Sequence, residues 1–293
     1  MRFSLLVFLF ALGLLATSTG SPAETDTPGL SQVAELHEGY QLLYEQKFAD
    51  ARVVFEKWAA ANPAQPFGQV SLAASYLFEE FYLQRVLTSD YFLNDKRFTG
   101  GIEGSPDHTR IDKFNASVVK ARQLAFERLK KHPKDPEGLF ALTLCAGMQS
   151  DADSMLLKKH LDALKHLKEA NSNGEMLLAE RPDAYDAYVA PGVANYVIGS
   201  LSSSARMMLW FGGIHGDKVL GMSDVQKTAE NGNYLRPFAK ILLGLSARRE
   251  KNEELARKNF KELTEEFPGN SVYEAEYAKS MGRPVPAILV PAN

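Results

Sequence analysis

The chain has 293 residues, with 33 basic and 36 acidic side chains and a formal net charge of -3. This balance argues against nucleic-acid binding, which needs clustered lysine and arginine, so we expect no nucleic-acid partner. Cys145 is the only cysteine, which excludes an intramolecular disulfide and a cysteine-based metal cluster.

Residues 1–23 have the layout of a secretory signal peptide. Arg2 precedes an apolar stretch of about 14 residues, Phe3 to Ala16, and small and polar residues follow it. A membrane anchor is the alternative, but a transmembrane helix needs ~20 apolar residues. We therefore expect residues 1–23 to be cleaved, leaving a short linker at 24–31 and no transmembrane segment. The mature protein would be exported, to the periplasm in a Gram-negative cell and otherwise as a secreted protein.

Four residues recur with identical spacing near the two ends of the chain. The first copy consists of Gly39, Ala51, Phe55 and Pro63, and the second of Gly244, Ala256, Phe260 and Pro268. In both copies the last three residues follow the glycine by 12, 16 and 24 positions. Small residues suit a close crossing of two helices, and a large apolar side chain fills the space between hairpins. A proline ends the second helix and sets the turn that follows. The spacing therefore predicts repeated helical hairpins.

This pattern resembles the tetratricopeptide repeat, a 34-residue helical hairpin with a small residue, an alanine, a large apolar residue and a proline at matching positions. The resemblance implies an all-α, TPR-like superhelix of stacked hairpins, here with insertions. We place four repeats at about 32–65, 66–133, 134–182 and 183–270. A final helix follows at 271–282, and a proline-rich extended tail at 283–293. Spacing between the terminal prolines places insertions at about 89–110 and 200–236, and an interruption near Ser150 to Ser154.

We find no residue set that predicts catalysis or metal binding. The stretch Gly212 to Lys218 has the glycines and lysine of a phosphate-binding loop, but Asp217 follows Gly216 where a P-loop has its lysine, and no strand precedes it. We interpret Asp217 as the N-cap of a helix over 218–231. The sequence therefore predicts a non-enzymatic protein that needs no metal and no cofactor.

The resemblance also implies a binding surface. In this family the first helix of each pair lines an inner groove that holds a peptide or partner protein. Transferring the groove positions gives Tyr40 and Tyr44 in the first repeat and Arg248 and Arg249 in the last. The first functional hypothesis is therefore an exported scaffold or adaptor for a protein partner. The structural alternative is that these four residues pack against the insertions. The two arginines could instead complement the negative end of the helix dipole.

A second hypothesis belongs to a different class of protein. The aromatic-rich segments 76–92 and 207–211 could close one end of the superhelix into a pocket for a small molecule or lipid. An enclosed apolar cavity would favour this hypothesis, whereas an open groove with exposed tyrosine and arginine would favour the scaffold.

Overall fold

The computed structural model describes residues 27–201, 203, 206–207 and 215–289. These residues form thirteen α-helices and no strand, so the all-α prediction is confirmed. The predicted signal peptide at 1–23 lies outside the described residues. Most of the 207–211 segment and the end of the 283–293 tail lie outside them as well.

The helices are mostly 10 to 24 residues long. In chain order they are α1 Ala34–Tyr44, α2 Phe48–Ala61, α3 Phe67–Leu83, α4 Ser89–Phe92, α5 Asp95–Gly100, α6 His108–Lys131, α7 Pro136–Asp151, α8 His160–Glu180, α9 Val189–Ser200, α10 Lys218–Asn231, α11 Arg236–Arg249, α12 Glu253–Glu266 and α13 Ser271–Ser280. A π-helical turn, Ala152–Leu156, follows α7, and a 3₁₀ turn, Tyr185–Tyr188, precedes α9.

The helices stack as hairpins in chain order. The pairs α1/α2, α3/α6, α7/α8, α9/α10 and α11/α12 each pack internally, each second helix packs on the first helix of the next pair, and α13 packs on α12. Helices α4 and α5 form an insertion between α3 and α6, within the predicted 89–110 segment. The segment 183–270, predicted as one repeat with an insertion at 200–236, contains two hairpins of the array.

The two copies of the repeat pattern have the same local geometry. Phe55 and Phe260 are buried, each against the glycine of its own first helix. A Cβ at Gly244 would lie 2.7 Å from the Phe260 ring, and one at Gly39 would overlap the Phe55 ring. Only glycine therefore fits where the first helix meets the phenylalanine. The two alanines of the pattern, Ala51 and Ala256, are fully buried, and Pro63 and Pro268 are exposed in the turns after α2 and α12.

The turns between paired helices also match. Gln46 and Lys251 occupy equivalent positions and adopt a left-handed backbone, with φ of 64° and 61°. In each turn a backbone amide donates a hydrogen bond to a carbonyl in the last turn of the helix. The Lys47 amide donates to the Leu42 carbonyl at 2.9 Å, and the Asn252 amide donates to the Ala247 carbonyl at 2.8 Å. These are Schellman-type helix ends.

The array closes on itself, because its first hairpin contacts its last. The Tyr44 hydroxyl donates to the Tyr234 carbonyl oxygen at 2.8 Å, and the Asn270 amide donates to the Tyr44 carbonyl oxygen at 2.7 Å. The Tyr40 ring packs on the Tyr234 ring with centroids 4.9 Å apart. The inner faces of the first helices therefore surround a closed interior.

Asp217 begins α10 as predicted. Its carboxylate accepts hydrogen bonds from the backbone amides of Val219 at 2.8 Å and Leu220 at 3.1 Å. These bonds satisfy two of the unpaired amides at the helix start. Within the described part of the chain, none of the helices combines the length and apolar character that crossing a bilayer requires.

Candidate functional site

The first helices of the hairpins present apolar stripes to the interior. On α3 the inner residues follow at helical spacing as Val70, Ala74, Leu77 and Phe81. On α7 the corresponding stripe consists of Leu144, Gly147, Met148 and Asp151. Positions three, four and seven residues apart share one face of a helix, so each stripe looks inward along its whole length.

These stripes enclose two adjoining cavities between α3, α7, α9 and α11. Cavity A has a volume of about 80 Å³ and opens to solvent, and its wall includes Leu77, Phe78, Gly147, Met148, Val193 and Phe238. Cavity B has a volume of about 60 Å³, and its wall includes Phe81, Phe92, Phe98, Tyr196, Val225 and Phe238. The two walls share residues of four helices, namely Phe81, Asp151, Val193 and Phe238.

Almost all polar atoms on these walls are occupied within the protein. The hydroxyls of Thr143 and Ser246 donate to backbone carbonyls one helical turn earlier, at 2.8 and 2.6 Å. The Tyr44 hydroxyl is bonded to Tyr234, and the Tyr196 hydroxyl lies 3.4 Å from the Glu250 carboxylate. The interior therefore offers an apolar surface with few free polar groups.

Asp151 is the exception. It is the last residue of α7, is partly buried and lines both cavities. Its carboxyl has no hydrogen-bond or ion-pair partner among the described residues. Burial among apolar side chains raises the pKa of this carboxyl from 3.8 to about 7, because a low-dielectric environment disfavours its charged form.

The π-helical turn after Asp151 fixes the end of α7. Asp153 lies 2.9 Å from the His166 ring nitrogen on α8, and the Ser150 hydroxyl donates to the Ala163 carbonyl at 2.9 Å. The Ile102 amide donates to the Met155 carbonyl at 2.8 Å. The predicted interruption near Ser150 to Ser154 thus takes the form of a π-helical turn.

Two of the predicted groove residues lie on the wall of cavity A. Tyr40 and Tyr44 are each only 3% exposed, and both contribute to the lining of this cavity. The contact between the first and last hairpins covers them, so they face an enclosed interior and not an open groove.

The other two predicted groove residues contact the chain itself. The Arg249 guanidinium donates to the Phe92 carbonyl at 2.5 Å and to the Asp95 carboxylate at 2.6 Å, and it lies 4.3 Å from the centre of the Phe98 ring. Arg248 lies 3.5 Å from the Glu253 carboxylate. Arg249 therefore holds the α4–α5 insertion, which forms part of the wall of cavity B.

The second hypothesis placed its pocket between the segments 76–92 and 207–211. Its first segment, 76–92, supplies Leu77, Phe78, Phe81, Leu87 and Phe92 to the two cavities. Of its second segment, 207–211, only Met207 is described, and it is 59% exposed. Asp151 was not predicted as a site residue, although a lone acid on the apolar stripe of α7 was a signal available in the sequence.

The described residues offer little for chemistry. Cys145 is fully buried, and burial raises the pKa of its thiol to about 12, which opposes formation of the nucleophilic thiolate. No group of three or more potential metal ligands occurs among the residues that the structure describes.

Comparison with known proteins gives no family. The chain matches no protein-family model, and no curated protein matches it. The closed helical array and its interior cavities therefore carry the functional argument.

Proposed function

We propose that this protein binds a small apolar molecule in cavities A and B. The observation that carries the proposal is the apolar interior enclosed by the inner faces of α3, α7, α9 and α11. Well-packed proteins leave few internal spaces of this kind. Ligand pockets combine apolar walls with a few polar groups. Cavities A and B have such walls, and Asp151 is a polar group common to both.

The position of the site also supports ligand binding. Residues from both ends of the array, Tyr40 on α1 and Phe238 on α11, meet at cavity A. A ligand there would contact several hairpins at once, and burial of its apolar surface would stabilise the closed array by mass action. We propose this function for an exported, non-enzymatic member of the tetratricopeptide-like class.

The protein-scaffold hypothesis has less support. It relies on Tyr40, Tyr44, Arg248 and Arg249 as partner contacts, and the tyrosines are buried while Arg249 binds the insertion. A partner could reach the tyrosines only if the first and last hairpins separated. That separation would break the contacts between α1 and Tyr234 and would therefore cost free energy.

The test is a titration with a neutral fluorescent apolar probe, N-phenyl-1-naphthylamine. We expect saturable binding to the wild type. A Cβ at Gly147 would meet no heavy atom within 4 Å, so the ring of Gly147→Phe has room to occupy cavity A and should weaken binding about tenfold or more. Gly104 is equally free of neighbours and lies outside both walls, so Gly104→Phe is the control and should bind like wild type. Equal binding by Gly147→Phe and wild type would exclude cavity A as the binding site. Non-saturable binding to the wild type would refute the proposal.

A further inference from the structure

We propose that the ligand is a lipophilic ammonium compound, whose cationic head pairs with Asp151 and whose apolar body fills the cavities. This inference rests on the ligand-binding function proposed above and adds the chemical class of the ligand. It follows from three features of the cavity walls, namely the position of one carboxyl group, its lack of a partner and the aromatic rings around it.

The first feature is the position of Asp151. It is shared by the walls of cavities A and B, and the other residues of both walls are apolar side chains, a glycine, tyrosines, a threonine and a serine. Asp151 is therefore the one described wall residue whose side chain can carry a formal charge near neutral pH. A ligand spanning both cavities must pass this group.

The second feature is the missing partner. Two buried carboxyls elsewhere in the described residues have partners within the chain: Glu80 pairs with Arg110, and Asp186 accepts hydrogen bonds from the amides of Asn233 and Tyr234, each at 2.9 Å. Asp151 has no such contact among the described residues. Asp151 is partly buried, and partial withdrawal of an unpaired charge from water has a cost that a paired, hydrogen-bonded charge avoids. An ammonium group supplies both the charge and the donors.

The third feature is the aromatic character of cavity B. Among the described residues, five aromatic side chains contribute to its wall, Phe81, Phe92, Phe98, Tyr196 and Phe238. The face of an aromatic ring attracts a cation, and aromatic cages are used to bind alkylated ammonium groups. The combination of one acid and several rings therefore favours a cationic ligand. A carboxylate ligand would be repelled by Asp151, and an alcohol would gain one hydrogen bond but no charge pairing.

Among the described titratable groups that face the cavities, Asp151 is the one that changes its charge near neutral pH. Tyr40 and Tyr44 on α1 and Tyr196 on α9 line the cavities, and burial raises the pKa of each above its ordinary value. Helices α3, α8 and α11 present no ionisable residue to either cavity. On the insertion, the pKa of Tyr91 is raised mainly by burial and also by Asp151, and Arg97 lies 5.2 Å from the Tyr91 ring. Ammonium binding should therefore strengthen as Asp151 ionises.

The experiment compares three probes with one apolar chain and different heads, decylamine, decanol and decanoate, by displacement of N-phenyl-1-naphthylamine. At pH 8 we expect wild type to bind decylamine about tenfold more tightly than decanol, the size of effect that one charge-assisted contact can give. This ratio should fall at least about fivefold at pH 5.5, where Asp151 is mostly protonated. Asp112 is exposed on α6 and has no ion pair with another described residue, so Asp112→Asn is the charge-matched control and should keep the ratio.

Asp151→Asn supplies the decisive comparison, and its melting curve shows whether it is folded. In this variant decylamine should bind no more than about twofold more tightly than decanol. A decylamine preference that persists in Asp151→Asn would overturn the inference, and so would equal binding of decylamine and decanol by wild type. In either case, binding of the fluorescent probe and of decanol would leave the proposed function standing. Failure of the fluorescent probe and of all three decyl compounds to bind would overturn both proposals.

Discussion

The Tyr44 hydroxyl and the Tyr234 carbonyl oxygen are joined by a 2.8 Å hydrogen bond across 190 residues of sequence. This bond links the first hairpin to the loop before α11, and both groups are buried. We expect Tyr44→Phe to lower the free energy of unfolding by about 0.5–1.5 kcal/mol, the usual net value of such a bond. Chemical denaturation measures it. Tyr185→Phe is the control, because Tyr185 is 38% exposed and its change should have little effect.

Glycine substitutions test the packing of the repeat. Gly39→Ala and Gly244→Ala place a methyl group against Phe55 and Phe260, so each should cost about 1–3 kcal/mol of stability through overpacking. Gly147→Ala is the matched control on α7, where the methyl group meets open space. It should stabilise the protein by about 0.5–1 kcal/mol, because alanine is the better helix former. If all three changes stabilised the protein alike, the close contact between glycine and phenylalanine would be refuted.

The turn before α12 allows a stabilising change. Lys251 is exposed and has a φ of 61°, a conformation that costs a side chain about 1 kcal/mol and glycine almost nothing. Lys251→Gly should therefore raise the free energy of unfolding by about 0.5–1 kcal/mol. Lys258→Gly, at an exposed position inside α12, should lower it by a similar amount. A destabilising effect of Lys251→Gly would show that the turn does not hold this conformation in solution.

Asp151 should make stability depend on pH. Its pKa is about 7 when folded against an ordinary value of 3.8, so the folded state binds the proton more tightly than the unfolded state. The wild type therefore loses stability as pH rises from about 4 to about 7, and the loss is complete above that window. Asp151→Asn does not titrate and escapes this loss. Allowing for the partial exposure of Asp151, we expect the variant to be about 1–3 kcal/mol more stable than wild type at pH 8.

Melting temperatures of the two proteins, compared at pH 4 and pH 8, check this prediction. The difference should be close to zero at pH 4. Asp186 also has a raised pKa, about 6, because of burial, but both proteins share it and its effect cancels in the difference. A difference that is independent of pH would mean that the Asp151 carboxyl is solvated in the folded protein.

Arg249 should control access to cavity B. It joins α11 to the insertion through Phe92, Asp95 and the Phe98 ring. The ion pair alone is worth little, because Asp95 is largely exposed, but the carbonyl contact and the ring packing fix the insertion. We expect Arg249→Ala to speed hydrogen exchange at 89–100 and to raise the dissociation rate of a bound probe several-fold. Arg257→Ala, at an exposed position on α12, should change neither quantity.

Local parts of the fold could be predicted from the sequence, because their causes are local. The spacing from Gly39 to Phe55 determines a hairpin through contacts less than 20 residues apart, and Asp217 caps α10 through amides two and three positions later. The closure of the array could not be predicted, because it depends on contacts between α1 and Tyr234. The groove hypothesis for Tyr40 and Tyr44 assumed an open inner face for the same reason.

The candidate site was harder to predict than the fold. Asp151 differs from other surface or helix-end acids only in what surrounds it, and those neighbours come from α3, α9 and α11. No pattern within α7 reports on residues so distant in the chain. The aromatic segment 76–92 was found because its composition alone is unusual, and it does supply part of both walls.

The central claim is that an apolar molecule occupies the interior, and locating a tagged ligand tests it most directly. Crystals grown with 10-bromodecan-1-ol would reveal the bromine by anomalous diffraction. We predict a bromine peak inside cavity A or B, in contact with wall residues such as Gly147 or Phe238. The peak should disappear from cavity A in Gly147→Phe. Bromine found only on the outer faces of the helices, with both cavities unoccupied, would contradict the claim.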